Sequence, residues 1–99
     1  MFALAFDLVV ADVQAHHPKG ISQAYSDIRT TLAHHGFEWV QGGSLYVNAS
    51  EDLAVLFAAI MALKALPRFA PSVRNIRAFR VEQWSDFTAL VKGPPLTAP

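Results

Sequence analysis

The stretch Phe2-Ala3-Leu4-Ala5-Phe6-Asp7-Leu8-Val9 reads as a short apolar strand. Side chains alternate along a strand, so Phe2, Leu4 and Phe6 share one face and Ala3, Ala5 and Asp7 the other. The large residues should point at helices. The face with the alanines is then open, and its small side chains allow another chain to approach closely. Asp7 is the residue hardest to explain there, because a carboxylate inside an apolar strand needs a cation, a donor or a metal ion. It is either a strand-end acid paired with an arginine or a group that does chemistry. If a two-fold axis passes nearby, two copies of Asp7 meet, and like charges raise one pKa or recruit a divalent cation.

Working outward, Val10 to Lys19 contains Asp12, His16, His17 and Pro18 and reads as a loop. From about Ser22 to His35, Ile21, Tyr25, Ile28 and Leu32 recur every three or four residues, which predicts a helix with Gly36 at its C-terminal cap. Phe37–Gln41 and Ser44–Val47 form a hairpin around Gly42-Gly43. Asn48 with Glu51 suggests a capping box. Leu53–Leu66 is a second helix, apolar almost all round with Lys64 its only charge, so part of it is expected to lie against another subunit. Val73–Glu82 is a fourth strand. Gln83–Lys92 is a short amphipathic piece capped by Ser85 or Asp86.

The order β-α-β-β-α-β with right-handed crossovers predicts an α+β, ferredoxin-like fold: a four-stranded antiparallel sheet with two helices on one face. Residues 1–92 are expected to form this domain and 93–99 a flexible Pro-rich tail.

The 99 residues allow one domain. A hydrophobic content of 53% against 16% charged residues excludes long-range disorder. No apolar run approaches the roughly 20 residues that span a bilayer. No positive region precedes the first apolar stretch, so no secretory signal and a cytoplasmic location are expected. Without cysteine there are neither disulfides nor thiolate metal sites. Eight basic residues balance eight acidic ones, which counts against a strongly electrostatic nucleic-acid binder while leaving room for a local basic patch.

In this topology the end of strand one, the Gly42-Gly43-Ser44 turn and the stretch Lys64–Arg74 meet at one rim of the sheet. Asp7, His16, His17, Ser44, Lys64, Arg68 and Arg74 would share it, whereas His34 and His35 fall at the far end of a helix. Strand four carries Arg74, Arg77 and Arg80, which as a set can clamp phosphates or simply charge an edge strand.

The blocks Phe2–Leu8, His17-Pro18-Lys19-Gly20, Gln23–Ile28, Gly36-Phe37, Ser44-Leu45-Tyr46, Ser72–Phe79 and Gln83–Thr88 resemble the virulence-associated protein D family, VapD, in order and in nearly matching spacing. The resemblance implies a ferredoxin-like homodimer related to the CRISPR-associated adaptation nucleases. It also implies an endoribonuclease, a hydrolase of RNA phosphodiester bonds, acting as the toxin of a bacterial toxin–antitoxin pair. Relatives carry an aspartate tied to catalysis at the end of strand one, near the dimer axis, and Asp7 matches it. Two departures stand out. The family usually reads Arg-Asp-Ile-Arg in strand four, where this chain has Arg74-Asn75-Ile76-Arg77, and the turn before Ser44 carries an extra glycine.

The expected mechanism is RNA cleavage at a dimer cleft. Arg74, Arg77 and Arg80 hold phosphates, and Tyr25 or Tyr46 stacks an unpaired base. Ser44 is a further RNA contact. Asp7 either binds Mg²⁺ or acts directly as general base, and in a metal-free reaction His17 is the alternative base. The rival reading is a non-catalytic dimeric module that binds an antitoxin or another protein through the second helix and the C-terminal segment. A regulatory small-molecule domain ranks last.

Overall fold

The computed structural model describes residues 1–16, 19–41 and 44–95, with nothing said of the side chains of His16 and Gln41. The chain runs β1 (Phe2–Leu8), α1 (Val10–His16), α2 (Ile21–His34), β2 (Glu38–Gln41), β3 (Leu45–Asn48), α3 (Leu53–Ala65), β4 (Val73–Arg80) and α4 (Thr88–Lys92). The strands form one antiparallel sheet in the order β2-β3-β1-β4. This is the arrangement that the β-α-β-β-α-β order dictates, and the fold is ferredoxin-like.

β1 carries the core. Phe2, Leu4, Phe6 and Leu8 are all buried and pack with Ala24, Ile28 and Leu32 of α2 and Leu56, Ala59 and Leu63 of α3. Each helix offers one buried stripe at helical spacing. Phe37, Tyr46 and Phe69 fill the remaining space, with Phe6 against both Tyr46 and Phe69 at ring separations of 6.0 and 5.8 Å. The Arg29 guanidinium of α2 lies 4.5 Å above the Trp39 ring and ties the helix to the edge strand β2. The opposite face of the sheet bears Ala3, Ala5 and Asp7 with their cross-strand partners Phe79, Arg77 and Asn75.

Three local readings of the sequence are corrected. The segment read as a loop after β1 contains α1, held by a single anchor: Val13 is buried, and its N–H donates to Val9 O at 3.0 Å. With Val10, Ala11 and Ala15 exposed, a single buried side chain gives too little periodicity to announce a helix. Asn48 and Glu51 do not form a capping box. The cap of α3 is Asp52, whose Oδ1 accepts from Ala54 N–H at 2.9 Å. Asn48 instead accepts from Ser50 N–H and donates to His35 O, while Glu51 pairs with the N-terminal ammonium and lies 3.5 Å from Arg80. The ammonium draws the Glu51 carboxyl below its ordinary range. Finally, the last helix is shorter than expected, with Asp86 Oδ1 accepting from Thr88 N–H at its start.

The end of α2 is built as foreseen. Gly36 adopts φ +79°, Phe37 N–H donates to Leu32 O and Gly36 N–H to Ala33 O, the double closure that calls for glycine just past a helix. A Cβ here would also sit 3.0 Å from Asn48 Nδ2. Gly36→Ala should therefore cost about 1–2 kcal/mol, read as a lower urea midpoint with an unchanged slope.

Candidate active site

β1 and β4 pair regularly from Phe2 opposite Arg80 to Asp7 opposite Asn75, and then Leu8 faces Val73. The skipped residue is Arg74. Strict alternation would set Arg74 on the helix face with Ile76 and Ala78. The irregularity re-aims it, and its guanidinium comes within 3.5 Å of Asp7 Oδ2. Both side chains stay in water, Asp7 at 55% and Arg74 at 62% exposure. An exposed pair at this distance is worth roughly 0–1 kcal/mol, so the fold does not depend on it and both groups remain free to meet a ligand.

Ser44, which leads into β3, reaches the same rim. Phe6 N–H donates to Ser44 O at 3.1 Å, which fixes Ser44 one residue from Asp7 along the edge of β1. On the other side Val9 N–H donates to Ser72 O at 2.8 Å and holds the chain entering β4. Asp7, Ser44, Arg74 and Asn75 thus come together at one corner of the sheet, with Arg77 exposed on the same open face beside Ala5.

Other residues expected at the site lie elsewhere. His17 lies outside the described residues. Arg80 is at the opposite end of β4, over the Phe2 ring at 5.2 Å and near Glu51. Six residues of strand, roughly 20 Å, separate it from Arg74, so the three arginines do not form one clamp. Tyr46 is 0% exposed inside the core against Phe6, and no face of its ring is open to a base. Tyr25 is half-buried on α2, beside Ser22, Ser26 and Arg29. A small apolar pocket that the sequence did not signal lies behind the rim among Leu8, Val13, Arg68, Phe69 and Ser72.

Among the described residues, no three of His, Asp and Glu gather closely enough to hold a metal ion. Asp7 faces an amide, Asn75, and shares its carboxylate with a guanidinium. This donor set does not fit a divalent cation within one chain.

No protein-family model matches the chain. The curated protein named endoribonuclease VapD homolog from Neisseria gonorrhoeae is 65% identical over 92 residues, covering 93% of this chain and 99% of that protein. The chain belongs to the VapD family. The endoribonuclease VapD of Haemophilus influenzae is 58% identical over 92 residues, and that of Dichelobacter nodosus 47% over 93, again over 99% of each relative. The VapD family relationship thus spans the whole corner that holds Asp7, Ser44 and Arg74.

The buried placement of Tyr46 has a consequence for assays. Its hydroxyl has no hydrogen-bond partner among the described residues, so Tyr46→Phe should leave stability unchanged or raise it by up to about 1 kcal/mol. RNA cleavage by Tyr46→Phe should match the parent, and a tenfold loss would return the ring to an RNA-binding role.

Proposed function

We propose that this VapD-family chain is an endoribonuclease that works as a homodimer, with Asp7 as the catalytic base and Arg74 and Arg77 as the phosphate-holding cations. The observation that carries the reading is the rim corner itself: an exposed carboxylate held 3.5 Å from an exposed guanidinium by a break in strand pairing, with Arg77 exposed on the same sheet face beside half-buried Ala5. The relatives from N. gonorrhoeae and H. influenzae are likewise named as endoribonuclease VapD proteins.

The chemistry follows from these two groups. Asp7 takes the proton of a ribose 2′-hydroxyl, and the 2′-oxygen attacks the adjacent phosphorus. The bond from phosphorus to the 5′-oxygen breaks, that oxygen is protonated by water, and a 2′,3′-cyclic phosphate remains. Arg74 and Arg77 neutralise the charge that builds on the non-bridging oxygens. No metal enters this scheme; Mg²⁺ would require the Asp7 carboxylates of two copies to meet. In this reading the chain is the toxin of a toxin–antitoxin pair, with a protein antitoxin as its partner. If purified protein leaves RNA intact, the non-catalytic interaction module replaces this reading.

Asp7→Asn should lower cleavage of a defined RNA by about 10²–10⁴-fold, the usual contribution of a positioned base, with a melting curve like the parent's because the side chain is exposed. Cleavage at the parental rate would remove Asp7 from the mechanism. In the same gel, EDTA should leave the parent active and the product should carry a cyclic phosphate. Loss of activity in chelator, restored by Mg²⁺, would replace the base mechanism with a metal one.

A further inference from the structure

Ser72 stands two residues before Arg74 and is 2% exposed. Its backbone is fully employed. The N–H donates to Phe69 O at 2.9 Å, and the carbonyl accepts from Val9 N–H at 2.8 Å. Its hydroxyl, by contrast, has no hydrogen-bond partner among the described residues. Buried polar side chains ordinarily have one, and alanine at this position would leave no polar atom idle. Ser72 lines the cavity behind the rim, which Leu8, Val13, Ala24, Ile28, Leu66 and Phe69 wall with apolar groups. The cavity encloses about 400 Å³, its open mouth included, and sites that take small ligands have this size. Water is a poor occupant, because it needs about two to four polar partners and the buried part of the lining offers one polar side chain, Ser72.

The two charged groups of the lining stand at the mouth. Asp27 of α2 is half-buried, and its Oδ1 accepts from Gln23 Nε2 at 2.8 Å, which fixes the direction of the carboxylate. Arg68, in the connection from α3 to β4, is exposed. A fitting occupant therefore has apolar faces for the walls, hydrogen-bonding atoms on its edge for Ser72 and Asp27, and an anionic group outside for Arg68. An aliphatic side chain of a protein partner meets the first condition and leaves Ser72 idle. A nucleobase that carries its phosphate meets all three.

We propose that this cavity is a nucleobase pocket. The faces of the base lie against the aliphatic wall and Phe69. One edge atom bonds Ser72 Oγ, a ring or amino N–H donates to Asp27, and Arg68 pairs with the phosphate outside. The cavity shares its wall with the rim, since Leu8 follows Asp7 and Ser72 leads into Arg74. An RNA strand whose phosphate rests on Arg74 passes over the rim to place a neighbouring base there. The inference deepens the proposed function: it rests on RNA as the substrate and not on the role of Asp7.

Binding of a fluorescent single-stranded RNA with methylated 2′-hydroxyls puts the pocket to the test, because no cleavage intervenes. With full-length protein, anisotropy should show Ser72→Ala binding about fivefold more weakly, the contribution of one hydrogen bond, while its melting temperature equals or exceeds the parent's. The same RNA is then made with one base removed at each position in turn. At one position the removal should cost the parent about tenfold, the contribution of one stacked base, and RNA lacking that base should bind Ser72→Ala and the parent equally. Parental affinity in Ser72→Ala would overturn the pocket, as would a fivefold defect that persists whichever base is removed. Nucleoside 5′-monophosphates should move the Val13 and Ser72 amide resonances, and the methylated RNA should displace them. Mononucleotides that the RNA does not displace would assign the pocket to free nucleotides and overturn its place on the RNA path. A protein that binds neither probe would overturn the pocket outright, while the Asp7→Asn gel still judges the cleavage reading by itself.

Discussion

The alternation of β1 is the constraint on which the molecule depends. This strand is bonded on both sides, and its period of two assigns a separate task to each face. Phe2, Leu4, Phe6 and Leu8 supply the floor on which both long helices rest. A slip of one residue would send all four to the open face and bring Asp7 into the core, so register is strongly specified. On the other face Ala3 and Ala5 keep the surface shallow. The position of the acid is therefore a consequence of the packing: any sequence with large residues on the even positions of this strand places residue 7 on the open face at the rim.

The second determinant is a single displaced residue. Regular pairing through the end of β4 would have left Asp7 opposite Asn75 with no cation beside it. The shift between Asp7 and Leu8 bends the strand at that point and turns Arg74 toward the carboxylate. Because the pair is weak and wet, it positions two charges without locking them together. For the proposed role, in which Arg74 would leave Asp7 for a phosphate, that is a more useful state than a buried, fully satisfied ion pair would be.

The sequence made most of the scaffold legible because its signals were long or chemically singular. The recurrence of Tyr25, Ile28 and Leu32 over about two turns, and a glycine where only φ > 0 closes the helix, leave little choice. α1 escaped because one buried valine in seven residues has no period. The cap of α3 was misassigned because Asn48, Ser50, Glu51 and Asp52 all have capping chemistry, and only the partners the others take (His35 O for Asn48, Asp52 N–H for Ser50, the N-terminus and Arg80 for Glu51) show which is left for the helix. Tyr46 and Asn48 point into the core from a four-residue strand in which Leu45 and Val47 are less buried. There the polarity pattern runs opposite to burial, so the tyrosine looked available when it was not. The candidate site was partly legible: Asp7 stood out as an anomaly in an apolar strand and the topology put Arg74 at the same rim, but nothing in the order of residues announces the irregularity that turns Arg74 toward the carboxylate.

Composition and symmetry meet in the last step. α3 is so uniformly apolar that folding one chain satisfies only the stripe at Leu56, Ala59 and Leu63 and leaves Leu53, Phe57 and Met61 in water. A net charge of zero leaves each chain few cations for a polyanion; at the rim these are Arg74 and Arg77. Affinity for RNA that rests on phosphate contacts grows with their number, and a chain this small cannot add many without losing its charge balance. The proposed pairing of two copies would resolve both problems together. It would remove apolar surface from water and double the arginines available to one strand of RNA while each chain stays neutral. On the proposed reading the greasy helix and the sparse cations have the same cause, a working unit larger than one chain.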